Sequence, residues 1–180
     1  ALSISVVLTI TAQGAVADSL DVLFCCAADN DLYRVITAGG REYARVESAA
    51  EAVRTASPGL GVLILADGYP QATTPLDQAV FDEAAAKRLR LFVEYPSWLP
   101  EIAVGAPRRT HLERTVVASD AFGPRLARLS ILALHDCHFV EVEASEADLV
   151  VARVAGFDRA VFGLDDVKTH PILFECPDRP

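Results

Sequence analysis

Two carboxylates stand where a side chain could work as an acid or a base. Asp67 follows the hydrophobic run at residues 61–66 (GVLILA), and Glu94 follows the run at residues 89–93 (LRLFV). Paired carboxylates divide acid and base roles when their surroundings push their proton affinities apart. The simpler reading is that each ends a strand and binds nearby backbone N–H groups. Beside them lie Tyr69, Tyr95, Ser97 and Trp98, a group suited to stacking on and hydrogen bonding a saccharide. Loop packing explains the aromatic members equally well. A serine or cysteine nucleophile after such a run needs a glycine-flanked strand-to-helix elbow. The chain instead reads Tyr95-Pro96-Ser97-Trp98-Leu99-Pro100, with prolines where the glycines belong. Ser97 therefore makes a poor nucleophile, and Cys137 falls inside an expected strand.

The densest set of metal-ligating residue types is His135-Asp136-Cys137-His138. On a strand, His135 and Cys137 face one way while Asp136 and His138 face the other. A metal held by His135, Asp136 or His138 would thus need help from elsewhere, such as His170 or Glu94. The plainer reading is a strand end whose polar side chains satisfy backbone groups. His111 falls in the polar stretch Arg108-Arg109-Thr110-His111 and reads as solvated.

The elements that must position these residues alternate from residue 20 onward. Residues 20–26 (LDVLFCC) read as a buried strand. Asp29 or Asn30 caps a short helix through Ala38, stopped by Gly39-Gly40. Residues 43–46 form an edge-side strand. Ser48 caps a helix over 49–56 with Glu51 in the capping-box position. After Pro58-Gly59 comes the strand at 61–66. Pro75 then opens a helix over 76–88, with Leu76, Val80, Phe81 and Ala84 on one face. Strands separated by helices of this length predict an α/β fold with a doubly wound, mostly parallel sheet flanked by helices. Asp67 and Glu94 should then emerge at one end of the sheet, where ligands bind in such folds. After Pro100 the pattern changes. Residues 114–118, 131–142, 149–155, 160–164 and 171–176 read as strands joined by short turns, with a helix only at 122–129. The C-terminal half should add antiparallel strands to a single domain.

The chain has 180 residues, 52% of them hydrophobic and 23% charged, a globular composition large enough for one well-filled core. A net charge of −9 argues against nucleic acid as a partner, because phosphate contacts need clustered Lys and Arg. Methionine is absent, even at position 1. Residues 2–10 (LSISVVLTI) precede Ala15-Val16-Ala17, resembling the apolar core and cleavage site of a secretory signal peptide. Residues 1–17 are therefore expected to be a signal remnant and residues 18–180 the domain of an exported, periplasmic or extracellular protein. A first strand is the alternative for that run. Cys25, Cys26, Cys137 and Cys176 show no zinc-finger spacing. Adjacent Cys25 and Cys26 face opposite sides of a strand; buried thiols are expected, with a Cys26–Cys176 bridge open to an exported chain.

Residues 62–68 (VLILADG), the helix at 76–88 and the strand at 89–94 resemble the core of the class I glutamine amidotransferase-like superfamily, in its non-catalytic and ThuA-like branches. Thr169-His170-Pro171-Ile172 is similar to a His-Pro element late in such domains. The resemblance covers about half the chain and implies a flavodoxin-like fold. Amidotransferases carry their nucleophilic cysteine where this chain has Pro96-Ser97, so glutaminase activity is not expected. In secreted carbohydrate-active enzymes, beta-galactosidases among them, such a domain lacks a nucleophile and shapes or assembles a site beside a separate catalytic domain. The resemblance implies a non-catalytic accessory domain at the N-terminal part of a longer, carbohydrate-processing protein. Its partners would be an adjoining catalytic domain and a saccharide or small polar ligand, with no cofactor, and a homo-oligomer is compatible with it. The alternatives are a stand-alone hydrolase using Asp67 and Glu94, with or without a metal, and a saccharide-binding module.

Overall fold

Residues 22–176 are described by the structure, a computed structural model. The expected signal remnant lies outside the described residues. Four strands, β1 (Val22–Cys25), β2 (Ala44–Val46), β3 (Gly61–Ile64) and β4 (Arg90–Val93), form a parallel sheet in the order β2-β1-β3-β4. The register aligns Cys25 with Ile64 and Ile64 with Val93, so the carboxyl ends of β1, β3 and β4 emerge together.

Three helices cover this sheet, each started by the side chain that local sequence supplies. Asn30 Oδ1 accepts from the N–H groups of Leu32 and Tyr33 at the start of α1 (Asp31–Thr37). Ser48 Oγ accepts from Glu51 N–H at the start of α2 (Ala49–Thr55). The third helix, α3 (Gln78–Lys87), begins later than Pro75 predicts, because the Asp77 carboxylate accepts from Val80 N–H and becomes the cap. Arg88 ends α3 in the left-handed region at φ 54. Leu89, fully buried, then leads into β4.

Strand alternation divides the core between the two faces. Leu23, Cys25, Val62 and Ile64 pack with Ala52, Val53 and Ala56 on the α2 side and with Val80 and Ala84 of α3. Phe24, Cys26 and Leu65 pack with Tyr33 and Ile36 of α1 and with Tyr43. Cys25 and Cys26 thus face opposite ways, as the sequence predicts. The Cys26–Cys176 bridge does not form, since Cys26 is buried under α1 with its thiol unbridged.

The C-terminal half is antiparallel but differs in detail from expectation. One sheet orders β10 (Thr169–Leu173), β9 (Leu149–Ala152), β6 (Arg114–Val117) and β7 (Ile131–Leu132); a second pairs β5 (Val104–Arg109) with β8 (His138–Val142). The expected single strand at 131–142 is broken, with its two ends in different sheets. Asp136 sits between them in the left-handed region at φ 54, which stops continuous pairing. Strand β5 is not anticipated from sequence, because Gly105, Pro107 and two arginines dilute its alternation. The expected helix at 122–129 reduces to a single 3-10 turn, Pro124–Leu126, after Gly123 at φ 65. Residues 160–164 form turns instead of a strand. A small core of Ala66, Tyr95, Val140 and Val142, packed by Ile102, Val104 and Phe174, joins the parallel strand ends to β5 and β8.

Candidate functional site

Asp67 leaves the end of β3 and reaches toward the turn after β1. Its Oδ2 accepts from Ala27 N–H at 2.6 Å and its Oδ1 from Asn30 Nδ2 at 2.9 Å. Asn30 in turn caps α1, so the carboxylate ties the β3 turn to the start of that helix. Glu94, just past β4, accepts from Ala66 N–H through Oε2 at 3.0 Å. Both carboxylates therefore serve backbone and loop groups. Replacing Asp67 by alanine is expected to cost about 2 kcal/mol, the value of hydrogen bonds to a charged acceptor. Urea denaturation measures it, with faster amide exchange at Leu32 and Tyr33 as the local signature.

The aromatic residues named from sequence lie in two places. Tyr69 and Tyr95 meet edge to face with centroids 5.0 Å apart, and Tyr95 is buried at 8% exposure. Burial raises the phenol pKa of both, Tyr69 adding to the shift of Tyr95. Trp98 turns instead onto Phe81 of α3, centroids 5.7 Å apart. Ser97 Oγ accepts from Leu76 N–H at 3.3 Å in the lead-in to α3. Tyr69 Oη also accepts from His138 N–H at 2.6 Å, which fastens the β3 turn to the start of β8.

His138 faces the Tyr69 ring, and its buried Nδ1 has no hydrogen-bond partner. Asp136 pairs with Arg109, and His135 is exposed. His135, Asp136 and His138 are not brought together as ligands. Among the described residues, no group of three or more His, Cys, Asp or Glu is placed to hold a metal ion.

An open cleft of about 470 Å³ lies on the α2 and α3 side, at the carboxyl ends of β1 and β3. Its lining includes Cys25, Ser48, Asp67, Gly68, Thr73 and Asp77, and the starts of α2 and α3 border it. Asp67 lines this cleft and Glu94 does not, so the two carboxylates do not share it. Burial, with the neighbouring Cys26 and Asp67, pushes the Cys25 thiol up to about 11. It stays protonated and unreactive at neutral pH.

One polar cluster was missed from sequence. Arg108 on β5 donates through Nη1 to Glu141 Oε1 on β8 at 2.8 Å and lies 3.6 Å from Glu113 Oε1 through Nη2. His170 on β10 packs at a tilt against Phe139, with Nε2 3.3 Å from Arg108 Nη1 and Nδ1 3.3 Å from Glu141 Oε1. Because arginine only donates, Nε2 accepts and the proton resides on Nδ1, facing the carboxylate. Burial lowers the His170 pKa, which favours this neutral ring. Glu113 accepts from the N–H groups of His111 and Leu112 and from Arg153 Nε, and the His111 bond leads in holding its pKa down to about 2. The cluster pins β5, β8 and β10 together. Arg108 and His170 are 62 residues apart; the sequence marks one within a basic pair and the other within a His-Pro element, with nothing to show that they meet.

No helix among the described residues is long and apolar enough to cross a membrane. Comparison of the chain with protein families, with curated proteins and with solved structures gives no match.

Proposed function

We propose that the chain is a non-catalytic α/β domain of an exported, carbohydrate-processing protein, contacting a neutral, hydroxyl-rich ligand at the cleft beside Asp67 and Gly68. One observation carries the reading: the two carboxylates best placed for acid–base work are engaged by Ala27, Asn30 and Ala66 and do not share the cleft. The lining offers the Ser48 and Thr73 hydroxyls and the carboxylates of Glu47, Asp67 and Asp77. Such acceptors suit ligand hydroxyls, and the net charge of −9 disfavours an anion.

The finer architecture we propose is doubly wound and flavodoxin-like, within the glutamine amidotransferase-like superfamily. An interior first strand and helices in two separate side-chain cores support it. In such sheets the crevice where strand order reverses, here between β1 and β3, receives ligands. An adjoining catalytic domain in a longer chain completes the proposal and rests on the resemblance.

Amide NMR titration with a panel of neutral saccharides and polyols tests this reading. Shifts are expected at Gly68, Ala72 and Thr73 and should be abolished by Thr73→Trp, which fills the cleft. Unchanged amides across the whole panel would overturn the ligand assignment. Turnover of a glycan or ester substrate that Glu94→Gln abolishes would overturn the non-catalytic one.

A further inference from the structure

We propose that β4 is the docking edge for a second copy of this chain, paired antiparallel about a two-fold axis at Phe92. Arg90 N–H donates to Leu60 O at 3.0 Å and Glu94 N–H to Ile64 O at 2.9 Å. Residues 90, 92 and 94 therefore direct their backbone groups at β3, and Leu91 and Val93 direct theirs outward. Among the described strands, β4 pairs with β3 alone. An edge with outward N–H and C=O groups is a template for another strand.

The side chains say which strand fits. Phe92 is 41% exposed and lies outside the core packed under α1. Arg90 and Glu94, two residues to either side on the same face, are both exposed. Opposite charges directly across an antiparallel pair are stabilising, and like charges are not. With Phe92 against its own copy, Arg90 comes opposite the partner subunit's Glu94 and Glu94 opposite the partner subunit's Arg90; Glu94 holds Ala66 N–H through Oε2 and meets the arginine through Oε1. The pattern of cation, aromatic and anion is thus its own complement in the antiparallel sense. A parallel pairing in register would set arginine against arginine. The same antiparallel register lets Leu91 and Val93 exchange backbone hydrogen bonds across the axis, with Phe92 at the closely spaced position. Tyr95, at φ 51, and Pro96 end the strand and keep the contact short. The dimer is accordingly weak and concentration-dependent. It is independent of the cleft and of any ligand there.

Sedimentation equilibrium over a concentration series should show monomer passing to dimer. Arg90→Glu should weaken the dimer about tenfold or more by turning two attractions into repulsions. In a Cys137→Ser/Cys176→Ser background, Phe92→Cys should crosslink to its own copy under mild oxidation, while Arg90→Cys should not. Circular dichroism confirms that each variant is folded. A monomer throughout the series overturns the proposal, as does a dimer indifferent to Arg90→Glu or crosslinking by Arg90→Cys equal to that by Phe92→Cys.

Discussion

Replacing Phe24 by alanine should remove about 4 kcal/mol of stability, the range for deleting a buried aromatic ring. Phe24 is 2% exposed, and its ring meets Tyr33 and Tyr43 edge-on, each with centroids 5.3 Å away. The effect should concentrate on α1. That helix has seven residues, none of them fully buried, and so short a helix has little stability in water without packing. Tyr33 joins α1 to the sheet through Phe24, and the Asn30 cap joins it to Asp67. Chemical denaturation should show the loss, and native-state amide exchange should place it in residues 31–37 before the α2 side of the sheet. A loss under about 1 kcal/mol would mean that α1 is held by contacts other than these.

The second large effect belongs to Glu113. Its side chain is 5% accessible and satisfies two backbone N–H groups as well as Arg153. Glu113→Ala should cost about 3 kcal/mol, because it removes a buried carboxylate that accepts from two backbone N–H groups and leaves Arg108 and Arg153 without a shared partner. For a chain of this size that corresponds to a fall of about 10 °C in Tm. The pH dependence has a fixed sign. The folded carboxyl titrates at about 2 against an ordinary 4.5, so the folded state holds the charged form more strongly than the unfolded chain does. Its contribution is full above pH 4.5 and is lost as pH falls from there toward 2. Stability measured down this limb should decline less steeply in Glu113→Gln than in the unmodified protein. Equal slopes would remove Glu113 as a source of the acid sensitivity.

Neither effect follows from sequence in the same way. Phe24 is legible as an interior residue of a hydrophobic strand, and alternation alone assigns it and Cys25 to opposite faces. Glu113 is not legible. Nothing near it in the chain distinguishes it from Glu101 or Glu143, and its main side-chain partner, Arg153, is 40 residues away. Ser48 is readable as a helix cap, and the first cap narrows to Asp29 or Asn30, because a cap acts within three residues of itself; the structure selects Asn30. Pro75 misled for the same reason: the nearby Asp77 offered a carboxylate to Val80, and that bond set the start of α3.

By itself the sequence determined the α/β class, the parallel run of four strands with its three helices, and the separation of Cys25 from Cys26. These depend on period, capping and turn chemistry, which act over a few residues. The tertiary structure alone decided what the candidate residues do. Asp67 and Glu94 are ordinary acids in sequence; as staples they depend on donors brought from 40 and 28 residues away. Tyr95 and Trp98, near neighbours in one turn, separate onto Tyr69 and Phe81 as the chain turns through the left-handed Tyr95. Short-range rules set the elements, whereas the partner of each polar side chain is chosen by which distant backbone groups packing leaves unsatisfied.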